Sequence, residues 1–264
     1  MAVVTSVDNV AVKAARKLVR RQARDRAGAF LVEGPAVEEA LRHLTRLFTT
    51  EERAGSELAR CAREAGAEVV TVSERVLASL SDTVTPQGFV GVAELPPADL
   101  GDVLAAAQLV VVCWQIRDPG NLGAVLRSAD AAGADAVVCT AGSVDPRNPK
   151  VVRASAGSLF HLPVPTDAAL EAVIGGCRVH GLRVVAADAG GPTLYTDVDF
   201  RRPTAIVLGN ETHGLPGAAL KAADTVTRVP IHGRAESLNL AAAATVLVYE
   251  AARQNHGAPP GRHE

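Results

Sequence analysis

The sequence predicts an α/β protein whose larger part is built around a parallel β-sheet. Four continuous apolar runs occur after residue 108, at 109–113, 136–139, 184–187 and 205–208. Such runs are typical of strands that helices cover on both faces. Segments with helical character fall between the runs, at 122–132, 149–158 and 167–180. This alternation favours right-handed crossovers within one sheet.

Residues 1–97 predict a smaller α/β domain in front of that sheet. Short apolar runs indicate strands that alternate with helical segments, at 30–34, 47–50, 68–72 and 89–93. The stretch 95–101 is the linker candidate, because its consecutive prolines continue neither a helix nor a central strand. The second domain is then expected at 106–256, and the tail at 257–264 is expected to be disordered.

The composition excludes several classes of protein. The formal net charge of -2 provides no global basic field of the kind that many nucleic-acid binders carry, so any RNA site must be a local patch. The four cysteines lie far apart without a CxxC pair, so we expect buried reduced thiols and no bound metal. Charged residues interrupt the N-terminal segment and every long apolar stretch. We therefore expect a soluble cytoplasmic protein without a signal peptide or membrane span.

A basic helix is predicted over residues 8–27, with Asp8 or Asn9 as its cap and Gly28 at its end. Four basic residues fall on one stripe of this helix: Lys13, Lys17, Arg20 and Arg24. A solvated helix face is the usual explanation of such a run. Residues 1–30 nevertheless hold seven Lys or Arg against two Asp in a slightly acidic chain. We therefore favour contacts between this stripe and an RNA backbone.

Three polar loops follow strand-like segments of the larger domain. They are residues 118–123 with Arg127 soon after, residues 209–214, and the stretch from 230 to 239 ahead of an alanine-rich helix. Loops at the carboxyl ends of parallel strands meet at one edge of the sheet, where ligands bind in open α/β folds. The chain contains neither a GxGxxG dinucleotide fingerprint nor a GxxxxGK[ST] phosphate loop. A nicotinamide-dependent dehydrogenase is therefore only a distant alternative.

The three loops, in this order, resemble the motifs of the SpoU-type RNA 2'-O-ribose methyltransferases, a branch of the SPOUT superfamily. The motifs are Asp118-Pro119-Gly120-Asn121-Leu122-Gly123 with Arg127, Gly209-Asn210-Glu211-Thr212-His213-Gly214, and Pro230-Ile231 through Ser237-Leu238-Asn239. The resemblance implies a trefoil-knotted parallel sheet, a homodimer and S-adenosylmethionine as methyl donor. Residues 31–34 and 85–88 resemble the appended substrate-binding domain with a fold like ribosomal protein L30e. A simple turn before a strand is an equal alternative for residues 87 and 88.

The resemblance assigns catalytic roles to five polar residues: Asn121, Arg127, Glu211, Ser237 and Asn239. Arg127 matches the residue that activates the ribose hydroxyl with help from an RNA phosphate. Because Arg keeps its proton beyond about pH 12, our hypothesis is that it binds the phosphate and stabilises the developing alkoxide. Glu211 is expected to pair with Arg127, unless it is simply a carboxylate favoured at a helix start.

Helix capping is the competing explanation for Asn121, Ser237 and Asn239. We expect Ser237 and Asn239 both to start the last helix and to hold Asn121 or the substrate ribose. The resemblance further implies that backbone groups hold most of the methyl donor, so side-chain identity says little at those positions. The implied donor-binding residues are Ala187, Leu208, Gly209, Asn210, Gly214, Val229, Ile231 and Leu238.

Three further basic residues are candidates for phosphate contacts: Arg147, Lys150 and Arg153. A solvated loop is an alternative explanation for them. The resemblance as a whole implies methyl transfer from S-adenosylmethionine to a ribose 2'-hydroxyl of RNA. Ribosomal RNA of the 23S type is the preferred substrate because of the appended domain, and transfer RNA is the alternative. A non-catalytic RNA-binding or ribosome-assembly protein of the same fold also remains possible at this stage.

Overall fold

The computed structural model describes residues 3–81 and 87–256. The chain divides into two compact units. The N-terminal unit consists of Met1–Pro96 and Asp145–Phe160, and the C-terminal unit of Pro97–Val144 and His161–Glu264. The first boundary falls inside the expected linker. The expectations for Thr85, Pro86 and the tail at 257–264 lie outside the described residues.

The N-terminal unit is built on a four-stranded mixed sheet with the order β1-β4-β2-β3. Strand β4 is antiparallel to both of its neighbours, whereas β2 and β3 are parallel. The strands are β1 (Ala29–Glu33), β2 (Leu44–Thr49), β3 (Glu68–Thr71) and β4 (Phe89–Glu94). The helices of residues 1–96 are α1 (Val10–Lys17), α2 (Arg21–Ala27), α3 (Ala36–Glu39), α4 (Glu57–Glu64) and α5 (Glu74–Ala78). This alternation confirms an α/β unit ahead of the larger sheet.

The single helix expected over residues 8–27 is instead two helices, α1 and α2, separated by a turn. The side chain of Asn9 caps α1 by accepting hydrogen bonds from the backbone amides of Ala11 and Val12. Gly28 ends α2 in the left-handed conformation, with φ at 68°, which costs glycine little. The turn leaves the carbonyls of Leu18 and Val19 without helical partners, and the guanidinium of Arg24 donates hydrogen bonds to both.

Arg24 is therefore buried, and its predicted place on an exposed basic stripe is wrong. The residue is only 2% exposed, and its Nε donates to the carboxylate of Asp145 at 2.8 Å. The other oxygen of Asp145 accepts from the amide and the Nε of Arg147, at 2.9 and 3.3 Å. Burial alone would raise the pKa of Asp145, but these hydrogen bonds and the two guanidinium charges lower it.

The segment 145–160 belongs to the N-terminal unit although the sequence placed it in the second domain. The Arg24–Asp145 ion pair holds its first residue. The ring of Phe160, its last residue, stacks on Phe30 and His43 with centroid distances of 6.0 and 5.7 Å. Helix α8 (Pro149–Ala154) lies between these two anchors. It is shorter than the helix expected over 149–158, because the chain turns at Ala156 and Gly157 with positive φ.

The C-terminal unit contains a seven-stranded sheet with the order β7-β6-β5-β10-β8-β11-β9, and every pair in it is parallel. The four apolar runs form β5, β6, β8 and β10, which confirms the predicted parallel sheet. The strands are β5 (Leu109–Cys113), β6 (Ala136–Thr140), β7 (Thr166–Ala168), β8 (Arg183–Ala187), β9 (Thr193–Leu194), β10 (Thr204–Leu208) and β11 (Thr225–Arg228). The helices are α6 (Leu100–Ala106), α7 (Pro119–Ala131), α9 (Leu170–Val179), α10 (Gly217–Ala222) and α11 (Leu240–His256).

Three of the four cysteines are buried as expected, and Cys61 is partly exposed. Cys113 and Cys139 are partners in the β5–β6 register. Their mutual hydrogen bond and burial raise the pKa of the Cys113 thiol well above its usual value. Burial raises the pKa of Cys177 to about 11. No helix in the described part of the chain is long and apolar enough to cross a membrane.

The buried ion pair predicts a large stability effect. We expect Arg24→Ala to lower the free energy of unfolding of the N-terminal unit by about 3–5 kcal/mol, because Asp145 would remain buried with only the longer contact to Arg147, at 3.3 Å, to offset its charge. Arg26→Ala is the matched control, since Arg26 lies exposed on the same helix; its effect should stay within about 0.5 kcal/mol. Urea unfolding followed by circular dichroism measures both.

A compensating double variant, Arg24→Met with Asp145→Leu, should recover part of the loss, because it removes both charges together. Equal stability of the Arg24→Ala and Arg26→Ala variants would contradict the structural role assigned to the pair.

Candidate active site

The carboxyl ends of four neighbouring strands and the start of α11 enclose a cavity of about 500 Å³. Strands β5 and β8 flank β10, and β11 follows β8, so the loops that leave these strands meet at one edge of the sheet. The volume lies in the range of small-molecule sites. The lining residues that belong to the three sequence motifs include Asn121, Gly209, Asn210, Glu211, Gly214, Ile231, Ser237, Leu238 and Asn239.

The loop after β10 is a tight turn that tolerates only glycine at its first position. A Cβ on Gly209 would lie 2.4 Å from the carbonyl carbon of Gly214. Asn210 and Gly214 exchange backbone hydrogen bonds of 3.1 and 2.9 Å, and Gly214 has φ of +62°. The side chain of Asn210 accepts from the amides of Thr212 and His213. This turn presents Glu211 towards the loop after β5.

Glu211 binds the loop after β5 rather than Arg127. Its carboxylate accepts hydrogen bonds from the amides of Arg117 and Asp118 at 3.2 and 3.1 Å, and from Nδ2 of Asn121 at 3.2 Å. Burial alone would raise the pKa of Glu211, but these hydrogen bonds lower it below its usual value. Among the described residues no ion pair joins Glu211 to Arg127, so the predicted pairing is wrong.

Asn239 connects the third motif to the first. Its Nδ2 donates to Oδ1 of Asn121 at 2.9 Å. Its own Oδ1 accepts from the amides of Ala241 and Ala242, at 2.9 and 3.2 Å, and so caps α11. The cap of α7 is Asp118 and not Asn121, because Oδ1 of Asp118 accepts a hydrogen bond from the backbone amide of Asn121 at 2.8 Å. The Asn121 side chain is therefore held between Glu211 and Asn239.

Ser237 lines the cavity and is exposed. The hydroxyl of Ser237 makes no hydrogen bond with the described part of the chain, so capping of α11 falls to Asn239 alone. This corrects the expectation that Ser237 starts the helix. An exposed hydroxyl beside Asn239 remains available to a substrate.

Arg127 lies on α7, outside the residues that line the cavity. Its guanidinium is exposed and makes no ion pair within the part of the chain that the structure describes. The next residue, Ser128, shares a 2.7 Å hydrogen bond with Thr245 on α11, whose hydroxyl also donates to the carbonyl of Ala241. Helix α7 is thus fixed to α11 on both sides of Arg127, by this contact and by Asn121–Asn239. The arrangement leaves a positioned guanidinium free to bind an anion.

All eight residues predicted to hold the donor line the cavity, including Ala187, Leu208 and Val229 from the ends of β8, β10 and β11. Two charged residues of the wall were missed by sequence reasoning, Asp188 and Arg228. The position of Asp188 directly after the apolar run 184–187 was the available signal. The guanidinium of Arg228 is turned to the carbonyls of Gly191 and Pro192.

The lining fits S-adenosylmethionine. The wall supplies apolar side chains for an adenine ring, among them Leu208, Ile231 and Leu247. It carries two carboxylates and one guanidinium that already binds backbone carbonyls, so no free cationic side chain of the described wall opposes a sulfonium. Gly209 keeps the backbone of the loop accessible, as contacts to a ligand's polar edge require.

The seven residues predicted to bind RNA all fall in the N-terminal unit. Lys17, Arg20, Lys150 and Arg153 are exposed. Lys13 is exposed and pairs with Asp8 at 2.9 Å. Arg147 is partly exposed and binds Asp25 as well as Asp145. Arg24 is the exception, because it is buried and its guanidinium forms an ion pair with Asp145 inside the N-terminal unit.

Fold and site together define a parallel-sheet protein with a nucleoside-sized cavity at the strand ends. The profile of the SpoU rRNA Methylase family matches residues 108–249. The profile of the MRM3-like substrate binding domain matches residues 9–91. The chain therefore belongs to the SpoU rRNA methylase family, which confirms the resemblance and the α/β fold with its parallel sheet and smaller N-terminal domain.

Curated relatives resemble the chain over nearly its whole length. A 23S rRNA (guanosine(2553)-2'-O)-methyltransferase of Bacillus subtilis is 35% identical and covers 93% of this chain and 97% of its own. A 23S rRNA (uridine(2479)-2'-O)-methyltransferase of Streptomyces viridochromogenes is also 35% identical, over 90% and 87% of the two chains. These relatives confirm the expected enzyme class, an RNA 2'-O-methyltransferase.

A solved structure supports the donor. The AdoMet-bound rRNA methyltransferase from Sinorhizobium meliloti superposes with a TM-score of 0.87 at 33% identity, over 96% of this chain and 97% of that one. The SpoU methyltransferase AviRb of Streptomyces viridochromogenes, in complex with AdoMet, gives 0.84 at 34% identity over 93% and 98%. The predicted cofactor, S-adenosylmethionine, is confirmed by this agreement of family and bound neighbours.

The hydrogen bonds of Glu211 predict a pH-dependent stability effect. We expect Glu211→Gln to lower the melting temperature by a few degrees at pH 7, because Gln keeps only one acceptor oxygen, so the amide of Arg117 or that of Asp118 would face its Nε2 donor. A carboxylate whose pKa is lowered on folding stabilises above its unfolded pKa and loses that effect as pH falls through its folded pKa. The difference from wild type should therefore shrink below about pH 4.

Differential scanning calorimetry from pH 3 to 8 measures this difference. Glu171→Gln is the matched control, since Glu171 is exposed on α9 of the same unit. A Glu211→Gln deficit that stays constant down to pH 3 would contradict the role given to the carboxylate charge.

Proposed function

We propose that this protein transfers a methyl group from S-adenosylmethionine to a ribose 2'-hydroxyl of ribosomal RNA of the 23S type. The observation that carries the proposal is the hydrogen-bonded chain Glu211–Asn121–Asn239. It joins three segments that are distant in sequence at the rim of a cavity fitted to the donor. A protein that only bound RNA would not need this constellation.

The residues around the rim divide the chemical work. S-adenosylmethionine, when bound, supplies an electrophilic methyl group. Asn121, Ser237 and Asn239 offer amide and hydroxyl groups that hold the ribose in line, which lowers the entropic part of the barrier. The guanidinium of Arg127 binds the adjacent RNA phosphate and stabilises the charge that develops on the 2'-oxygen. It cannot act as the base, because it keeps its proton.

Ribosomal RNA is the preferred substrate class for two reasons. The relatives from Bacillus subtilis and Streptomyces viridochromogenes, which match the chain over most of its length, are named as 23S rRNA 2'-O-methyltransferases. Residues 9–91 match the MRM3-like substrate binding domain, so the chain carries a domain of a type that binds substrate. Transfer RNA is the second candidate, since a Synechocystis relative that is 32% identical is named as a tRNA/rRNA methyltransferase.

The exposed cations of the N-terminal unit, which we call its basic surface, are the proposed contacts to the RNA backbone. We assign phosphate contacts to its exposed cations Lys13, Lys17, Arg20, Lys150 and Arg153. We add Arg147, which is partly exposed and also forms ion pairs with Asp25 and Asp145. Such contacts supply affinity without sequence information. They explain how a chain with a net charge of -2 binds a polyanion.

Three further properties extend the proposal. A homodimer is favoured by half-exposed Tyr249 on α11, whereas Ala241 and Ala244 of that helix are buried within the chain. Sedimentation at the monomer mass of 27.3 kDa would contradict it. The trefoil knot and the cytoplasmic location stay predictions. Full-length similarity to proteins that modify ribosomal RNA supports the cytoplasmic location.

Mapping of 2'-O-methyl groups tests the function. Cells with and without this protein should differ at one ribosomal RNA ribose, and the wild type should restore that methylation. Arg127→Ala should not restore it, with a loss of about 100-fold or more in transfer rate if the phosphate and alkoxide contacts are lost. Affinity for the donor should be unchanged, because Arg127 does not line the cavity.

Calorimetry with S-adenosylmethionine separates the two effects. A site that appears only in transfer RNA would favour the second candidate. Full transfer by Arg127→Ala would contradict the role given to the guanidinium.

The basic surface predicts a change in salt dependence. Lys150→Gln combined with Arg153→Gln should weaken RNA binding and reduce the slope of log affinity against log salt by about 2, roughly 1 per removed contact. The matched control is Arg42→Gln with Arg75→Gln, two exposed cations elsewhere in the same unit. Filter binding between low and moderate salt measures both. Equal slopes for the two double variants would contradict the assignment.

A further inference from the structure

Asp188 is an acidic residue on the wall of the cavity that none of the motifs explains. It follows the last residue of β8 directly and is partly buried. Its Oδ1 accepts the amide of Gly190 at 2.8 Å, and its own amide donates to the carbonyl of Thr227. Its Oδ2 faces Gly214 at 3.8 Å from the place where a Cβ on that glycine would stand. This oxygen has no donor among the described residues.

The other charged groups of the wall are already engaged. Glu211 accepts two amides and the side chain of Asn121. Arg228 donates to the carbonyls of Gly191 and Pro192. Asp188 therefore presents the one carboxylate oxygen on the described wall that is left for a ligand. A partly buried carboxylate oxygen gains most from a donor group, because charge-assisted hydrogen bonds are the stronger ones.

The strand order indicates which part of the donor this oxygen meets. Asn121 follows β5, Glu211 follows β10, and Asp188 follows β8, in the sheet order β5-β10-β8. Neighbouring strands lie about 4.8 Å apart, so Asp188 is roughly two spacings from the end of β5, the strand that precedes Asn121. The reacting methyl group must meet the ribose at the Asn121 side. Asp188 therefore faces a part of the donor that the reaction leaves unchanged.

We propose that Asp188 is a donor-binding residue whose carboxylate accepts a hydrogen bond from a hydroxyl or amino group of S-adenosylmethionine remote from the sulfonium. The assignment rests on the proposed function, because it requires the donor to occupy this cavity. It makes Asp188 a determinant of affinity for donor and product alike, since S-adenosylhomocysteine retains the same hydroxyl and amino groups.

Isothermal titration calorimetry of the full chain with S-adenosylmethionine and with S-adenosylhomocysteine tests the proposal. Asp188→Asn keeps an oxygen for the amide of Gly190 but removes the charge. We expect both ligands to bind about tenfold more weakly and to a similar extent. Asp102→Asn is the matched control, because Asp102 is exposed on α6 of the same unit and does not line the cavity. Unchanged melting of the free variant shows that the turn is intact.

Two outcomes would overturn the assignment. Unchanged affinities for both ligands would show that the carboxylate makes no contact with the donor. A loss confined to S-adenosylmethionine would place Asp188 at the sulfonium instead of the unreactive part. Absence of donor binding by the wild type is a different result, because it would overturn the proposed function itself and this assignment with it.

Discussion

The site depends on one carboxylate, that of Glu211, which contacts the first motif directly and the third motif only through Asn121. Glu211 lies in the loop after β10, and its carboxylate accepts hydrogen bonds from the backbone of the loop after β5 and from the side chain of Asn121. The side chain of Asn239, at the start of α11, donates a hydrogen bond to Asn121 in turn. Each contact is a hydrogen bond to a charged or amide group, and such bonds are directional. The carboxylate therefore fixes the relative position of the motifs. Because Glu211 does not pair with Arg127, the exposed guanidinium of Arg127 makes no ion pair within the described part of the chain.

The parallel sheet makes this sharing possible. Adjacent parallel strands deliver their carboxyl ends to the same edge, so β5, β10, β8 and β11 bring together loops that are widely separated in sequence. The same edge supplies the cavity wall, which is largely backbone and small or apolar side chains. In the proposed function, donor binding falls to the wall and activation of the hydroxyl to the rim. On that proposal, Arg127 acts on the substrate from outside the cavity.

A second constraint acts in the N-terminal unit. The chain leaves the C-terminal unit after Val144, contributes Asp145–Phe160 to the N-terminal unit, and then returns. The Arg24–Asp145 pair and the stacking of Phe160 on Phe30 fix the two ends of that segment. The basic residues Lys150 and Arg153 are carried by this segment, so the cations proposed to contact RNA come from two parts of the sequence. A buried pair of this kind is costly to break from one side only.

The sequence by itself determined the parallel sheet, the order of the three motifs and the motif residues of the cavity wall. It could do so because continuous apolar runs and glycine-rich turns depend on local burial and backbone geometry. Only the tertiary structure decided the partners of polar side chains. Arg24 is periodic with Lys17 yet buried, Glu211 meets backbone amides instead of Arg127, and Asp188 was not singled out. Each of these depends on which group of a distant segment lies within about 3 Å, and spacing along the chain carries no information about that distance.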